Sequence, residues 1–330
     1  MRKTLIGSAL GTTTGLAWGG QFVIGKSAVD RVDAFHLTTV RYALAGLILL
    51  GILAAVEGPR ALRLDGRGRR LWWLGTLGFA GFNLLAFTGL QHATPQSAAL
   101  ITALAPLITA LVLWRRSRIV PSGTTLVALV VALVGVALVI TRGDLASALS
   151  GSVGWGDGLV LLGVLSFIFY TLGAAEFRDF SPLRYTTLTA ALGWLSIAGA
   201  TAVASLTGLE PGVGLAAYRD IWWQILYIAI IGAVIAVVSW NGSVAALGAQ
   251  NATLFGNLVP ITTFVIQIAR GYQPNGLELA GAILTIGALV GNNLLTRRQL
   301  ISHRMARRPA VTGPSAHDRE PVSVEASGNA

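Results

Sequence analysis

Two stretches decide how the chain folds: Gln96-Ser-Ala-Ala-Leu-Ile-Thr-Ala-Leu-Ala-Pro106 and Gln250-Asn-Ala-Thr-Leu-Phe-Gly-Asn-Leu-Val-Pro260, which lie 154 residues apart. Slid over one another they share Gln, Ala, Leu, Leu and Pro, and each opens a long apolar segment after a very short connection. The segments that follow also echo each other, Leu133-Val-Gly-Val-Ala-Leu-Val139 against Leu284-Thr-Ile-Gly-Ala-Leu-Val290. Recurrence at equivalent positions points to an internal duplication. Extending windows of about 20 apolar residues outward from these anchors places spans at roughly 4–24, 35–56, 71–91, 95–114, 121–141, 155–175, 183–206, 222–246, 252–269 and 277–296. The breaks between them carry Gly, Pro and charge, as in Glu57-Gly58-Pro59-Arg60 and Glu210-Pro211-Gly212.

Five spans per half is an odd number, so the second half starts on the opposite face of the membrane from the first. The expected fold class is therefore an all-α integral membrane protein, ten transmembrane helices as two inverted five-helix repeats. Residues 1–150 form the first repeat and 151–297 the second. Residues 298–330, rich in Ser, Pro, Ala and charge, read as a disordered cytoplasmic tail. Composition agrees. The chain is 54% hydrophobic and 12% charged, against about 25% charged in soluble domains, too little polar material to cover a water-soluble surface. The apolar start after Met1-Arg2-Lys3 is long enough to span and reads as an uncleaved first helix.

Charge sets orientation. With the N-terminus inside, 18 of the 24 Lys and Arg fall in inside segments. Only five, Lys26, Arg31, Arg142, Arg219 and Arg270, fall outside, and Arg41 lies within a span. That excess places both termini in the cytoplasm. Basic residues in short loops, rather than along one amphipathic stripe, speak against nucleic acid despite the net charge of +10. Trp72, Trp73, Trp114, Trp155, Trp222 and Trp223 sit at expected helix ends, where indoles suit the headgroup layer. Trp18, Trp194 and Trp240 do not.

The polar groups inside apolar runs are the candidate site. Gln21, Asn83, Tyr170, Asn241 and Asn257 would each be costly against lipid, so each is expected to face the interior. Singly they read as interhelical hydrogen bonds; together they come from five different helices. Trp18 and Trp240 could supply flat walls for a bound solute, and Trp194 reads as lipid- or core-packed. Arg41, about 9 Å in from Phe35 at 1.5 Å per residue, either snorkels to the outer surface or pairs with Asp30 or Asp33, or else attracts a substrate carboxylate or phosphate. Pro106 and Pro260 each remove a backbone donor at matching depth, as a packing kink or as a weakened turn lining a midplane cavity. Thr102, one turn before Pro106, is placed to satisfy freed backbone. Gly7, Gly11, Gly15 and Gly19 make one smooth face on the first helix, for close packing or for sliding.

What is missing also counts. Cysteine is absent, so disulfides, thiolate metal sites and cysteine nucleophiles are excluded. No Asp, Glu or His is expected deep in a span; Asp157 and Glu278 lie at outer helix starts, His36 near a helix end and His92 in a loop. There is no P-loop, no Gly-x-Ser-x-Gly elbow and no paired carboxylates. The chain is therefore expected to have no catalytic residues, no metal and no cofactor, and proton coupling through a buried carboxylate is disfavoured.

Across about residues 1–297 the chain resembles the EamA-type family of the drug/metabolite transporter superfamily. The resemblance rests on ten spans in a 5+5 duplication, Trp18-Gly-Gly-Gln-Phe-Val-Ile-Gly-Lys26, Arg41-Tyr-Ala-Leu-Ala, the mid-helix prolines and Leu279-Ala-Gly-Ala-Ile-Leu-Thr-Ile-Gly287. It implies a central cavity built from both halves, with the fifth and tenth helices peripheral. Many members carry an acidic residue just after the ninth helix, where this chain has Arg270, so a role resting on that acid is not carried over. The expected function is a secondary transporter, an exporter or exchanger of small metabolites such as amino acids, in a bacterial plasma membrane. Its partners are then the lipid bilayer and a small-molecule solute, and the protein is a monomer or a homodimer. The alternative is a non-transporting scaffold or sensor acting through the basic tail.

Overall fold

A computed structural model describes residues 2–118, 120, 122–144, 154–210, 212 and 214–306. Helix accounts for every regular element among them. We number the helices α1 (Arg2–Val29), α2 (Ala34–Glu57), α3 (Gly68–His92), α4 (Pro95–Ala103 continued by Ala105–Ser117), α5 (Gly123–Ile140), α6 (Trp155–Gly173), α7 (Pro182–Leu206), α8 (Trp222–Leu247), α9 (Ala249–Ala252, a 3-10 turn Thr253–Asn257 and Leu258–Ala269) and α10 (Gly276–Ala306). Six of them, α2, α3, α5, α6, α7 and α8, are long and apolar enough to cross a membrane, and α4 makes a seventh if its two pieces count as one span. The apolar parts of α9 and α10 are shorter. The 28-residue α1 is diluted by Gly, Ser and Thr. Residues 1–293 form one compact unit. In the second unit, 294–330, residues 294–306 are helical, and of these 298–306 had read from composition as irregular tail; 307–330 lie outside the described residues.

Local chemistry fixes the ends. Asp33 caps α2, its carboxylate accepting from the Phe35 and His36 amides at 3.0 and 2.9 Å, and Thr94, Ser122 and Ser181 cap α4, α5 and α7 in the same way. α2 and α8 stop at Gly58 and Gly248, whose φ of +84° and +82° favour glycine.

α4 and α9 are both discontinuous. The two pieces of α4 meet at 41° around Leu104, and Pro106 lies in the first turn of the second piece. Pro260 likewise lies in the first turn of Leu258–Ala269, after the 3-10 turn. There the missing N–H is one that a helix start leaves unpaired anyway. Each proline thus begins a new helical piece rather than kinking a continuous one. Thr102 does not serve the backbone freed by Pro106: its hydroxyl donates to Ala98 O, one turn earlier in its own helix, at 2.9 Å.

The contacts alternate between the halves. α1 packs on α8 and α9, α6 packs on α3 and α4, α2 lies against α7, and α4 against α9. Without a hydrophobic drive between helices in lipid, such contacts depend on close approach. The glycine face of α1 meets Leu247, Phe255, Leu258 and Thr262 at Gly7, Gly11, Gly15 and Gly19 respectively. The Thr263 hydroxyl donates to Gly19 O at 2.9 Å. α5 meets α10 through Gly135 and Gly281, with Thr285 Oγ1 donating to Ala132 O at 3.3 Å.

Two segments, Thr76–Gly81 in α3 and Tyr227–Ile235 in α8, are π-helical. Sliding the first by 154 residues lands it within the second. A π turn displaces backbone carbonyls from their usual partners, and a neighbouring helix supplies donors in both places. Ser166 Oγ of α6 donates to Leu77 O at 2.8 Å, and Trp18 Nε1 of α1 donates to Gly232 O at 3.1 Å.

At one end of the bundle, which we call end A, the 58–67 connection is clamped to the 174–181 connection. Arg184 donates to Ala61 O, Arg63 O and Asp65 at 2.9, 2.7 and 2.6 Å; Arg70 pairs with Glu176 and Arg67 with Asp179. At the opposite end B, Lys26 Nζ donates to Gln91 O at 2.8 Å. There, Glu278 is not a solvated residue at a helix start: it is 3% exposed and accepts from the Tyr272 hydroxyl. His92 is the last residue of α3, not a loop residue, and its ring lies 4.1 Å from that of Trp155.

Candidate functional site

The polar residues singled out in the sequence are all buried: Gln21, Asn83, Tyr170, Asn241 and Asn257 are each between 0 and 6% exposed. Four of them, all but Asn257, fall into two networks. On one side Asn241 Nδ2 donates to Tyr170 Oη and Thr186 Oγ1 at 2.8 and 2.7 Å, and the Tyr185 hydroxyl donates to Tyr170 O at 2.9 Å. On the other side Arg41 Nη2 donates to Gln21 Oε1 at 3.1 Å, and Asn83 Nδ2 donates to Tyr42 Oη and Phe79 O at 3.1 and 2.8 Å. One glycine in each π segment makes room for both: Gln21 lies over Gly232, and the Tyr170 ring over Gly78. A Cβ at either position would collide.

Between the networks stand four aromatic rings. Trp18 is edge-on to Phe167 at 5.5 Å and tilted on Trp240 at 5.4 Å, and Phe167 reaches Phe82 at 5.2 Å. With Gln21, Thr102, Thr109 and Thr171 they line a central cavity of about 40 Å³. That is room for water, far below the 300–1,000 Å³ of a drug-sized pocket. A wider chamber of about 530 Å³ opens at end A, lined by Asn241, Tyr185, Phe180 and Arg178 among others. Thr171, Leu172 and Ala249 border both spaces. Trp240 Nε1 donates to Thr171 Oγ1 at 3.3 Å across this boundary. At end B a separate cleft of about 410 Å³ lies between α1 and α9, lined by Lys26, Asp30, Gln267, Arg270 and Tyr272.

Of the residues expected at the site, Trp18, Gln21, Thr102 and Trp240 line the central cavity and Asn241 the chamber below it. Tyr170 stands behind Asn241, and Asn83 is turned to Tyr42. Asn257 is buried with its Oδ1 unpaired. Arg41 corrects the surface readings: it is 1% exposed and neither snorkels nor pairs with Asp30 or Asp33. Those carboxylates engage Lys26 and His36 instead. Trp194 is partly buried, packed against the core, and donates to Thr39 O at 3.1 Å. Phe82, Phe167 and Thr171 were not anticipated. Phe167 lies three residues before Tyr170, a spacing that puts both on one helix face, and that was the available signal.

Among the described residues no cluster of three His, Asp or Glu side chains is arranged to hold a metal ion. The profile of the EamA-like transporter family matches the chain twice, over residues 5–141 and 154–294. The chain belongs to the EamA-like transporter family. Similar proteins include the uncharacterized transporter YrdR of Bacillus subtilis, 28% identical over 90% of this chain and 94% of that one. YyaM of the same organism, also an uncharacterized transporter, is 31% identical over 84% of this chain and 90% of its own length. An uncharacterized transporter of Archaeoglobus fulgidus is 24% identical over 84% of the chain. A solved crystal structure shares the fold, with a TM-score of 0.63 at 21% identity over 90% of this chain and 99% of that chain. Family membership and several membrane-crossing helices make this a multi-pass membrane protein with a transport role, and its relatives are named for transport, not catalysis.

Proposed function

We propose that this EamA-family protein is a secondary transporter, an exporter or exchanger of small metabolites such as amino acids. It works by alternating access between two inverted five-helix repeats, 1–150 and 151–297. The observation that carries this reading is the placement of the cavity. A collapsed aromatic and polar chamber, walled by helices from both halves, adjoins a wide opening at end A. Support for the duplication comes from the double family match, from π segments at equivalent positions, and from proline-led breaks in both α4 and α9. Discontinuous helices at a repeat interface are how many carriers expose backbone to solute near the midplane. Trp18, Gln21, Asn83, Thr102, Tyr170, Trp240, Asn241 and Asn257 form the solute site and its supports. Arg41 stands behind it, and Pro106 and Pro260 lend local flexibility. End A faces the cytoplasm, with both termini, in a bacterial plasma membrane.

Counterflow in proteoliposomes tests the activity. Preloaded unlabelled amino acid should drive uptake of the labelled one, and Trp240→Ala should reduce it by more than about tenfold, since a lost indole removes a whole wall of the site. Absence of counterflow for amino acids, nucleosides and organic ions alike would reject transport. Topology is tested on the cysteine-free chain. Single cysteines at Gly58 and Gly143 should label from opposite sides of right-side-out vesicles with an impermeant maleimide; labelling from one side would refute the inverted arrangement.

A further inference from the structure

We infer that the site selects organic anions, a single acidic group carried on an apolar body. The inference rests on the transport reading and names its substrate class. Arg41 is the least exposed charged residue among the described residues, at 1%, and is sandwiched between the rings of Tyr42 and Phe87 at 4.8 and 4.9 Å. Its Nη2 holds Gln21, which lines the central cavity, while its Nε and Nη1 have no hydrogen-bond partner. No ion pair reaches it among the described residues. A buried guanidinium without a counter-ion is costly, and two rings and one amide oxygen offset only part of that cost. A solute anion entering the cavity would offset the rest.

Along the route, basic residues outnumber acidic ones. Arg178 is the charged residue lining the chamber at end A. At end B, Lys26 and Arg270 line the cleft together with one carboxylate, Asp30, which lies 3.2 Å from Lys26. A cation would meet positive charge at each stage, in walls of low dielectric that strengthen repulsion. The four rings, with Phe22, Val164 and Ile168 beside them in the central cavity, suit the apolar body of the solute.

The test compares two probes of matched shape and permanent charge, benzenesulfonate and phenyltrimethylammonium, binding to the purified full chain by calorimetry. Benzenesulfonate should bind more tightly by at least about tenfold, the scale of one partly screened charge–charge interaction. Arg41→Gln should erase the preference and Arg41→Lys, which keeps the charge, should retain part of it. The wild-type comparison stands even if a variant fails to fold. Equal or tighter binding of the cation, no binding of either probe, or an anion preference that survives in folded Arg41→Gln would each overturn the inference. Binding is read separately from flux. Counterflow favouring the cation removes anion selection and leaves transport standing; anion binding without counterflow of any solute does the reverse.

Discussion

Replacing Gly15 by leucine is expected to abolish the folded protein, leaving no monodisperse peak in detergent and no flux. Gly15 sits where α1 crosses α9, and a Cβ there would come within 2.7 Å of both the Leu258 Cβ and the Phe255 carbonyl oxygen. A flexible side-chain tip could move aside; a backbone carbonyl at the 3-10 turn of α9 cannot move without breaking that turn. Overpacking of a tight contact costs typically about 1–3 kcal/mol and at times more, and leucine drives four carbons against a backbone that has no room for one. Gly15→Ala is the graded version, with a melting temperature several degrees below wild type, on the scale of 2–4 °C per kcal/mol. Gly51→Ala is the control, because a Cβ there meets nothing within 4 Å. A Gly15→Leu protein that melts like wild type would mean that α1 and α9 are not in contact as described.

The second large effect is expected at Arg184. Its guanidinium bridges Ala61 O, Arg63 O and Asp65 and lies 3.9 Å from the centre of the Phe180 ring, with the side chain only 16% exposed. Glutamate at this position would face two carbonyl oxygens and a carboxylate, losing charge-assisted bonds worth about 1.5–3 kcal/mol each when well formed and adding repulsion. Arg184→Glu should therefore lower thermal stability markedly, and a compensating Asp65→Lys should restore only part of it, since the two carbonyls stay unserved. Arg67→Ala and Arg70→Ala should do far less, because exposed pairs contribute about 0–1 kcal/mol and fade in salt. The Arg67–Asp179 bond does hold the Asp179 carboxyl below its ordinary range. A depressed carboxylate contributes stability above its unfolded value, and loses it as pH falls through the folded one. That part of the clamp should loosen only in acid. Melts of the four variants at low and high salt decide the matter; a wild-type melt for Arg184→Glu would show that the clamp is idle.

Much of the helix layout was legible because its causes are local. Asp33, Thr94, Ser122 and Ser181 stand where helices begin, and apolar length gave most of the segments directly. The inward placement of Asn83, Tyr170 and Asn241 was legible for a different reason, the cost of leaving an amide or hydroxyl in lipid. Three features were not. The π segments have no compositional mark beyond Gly78 and Gly232, and an added residue in a turn changes no periodicity that a short window can register. Phe82 and Phe167 are apolar residues in apolar runs, and only the three-residue spacing of Phe167 from Tyr170 marks either of them as inward. Arg41 lies six residues from the helix start, a depth that allows a long side chain to reach the surface. Only its rotation toward Tyr42 and Phe87 shows that it does not.

The spacing of the glycines on α1 has a mechanical consequence. Phe255, Leu258 and Thr262 each occupy one of a row of sockets, at Gly11, Gly15 and Gly19, and the sockets repeat every four residues. Four residues is about one turn, roughly 6 Å of rise. If α9 slips by that amount toward Gly7, all three knobs again find a glycine opposite them, provided that Leu247 vacates the last socket. The socket spacing thus matches a shift of one turn, as the teeth of a rack match a pinion at successive positions.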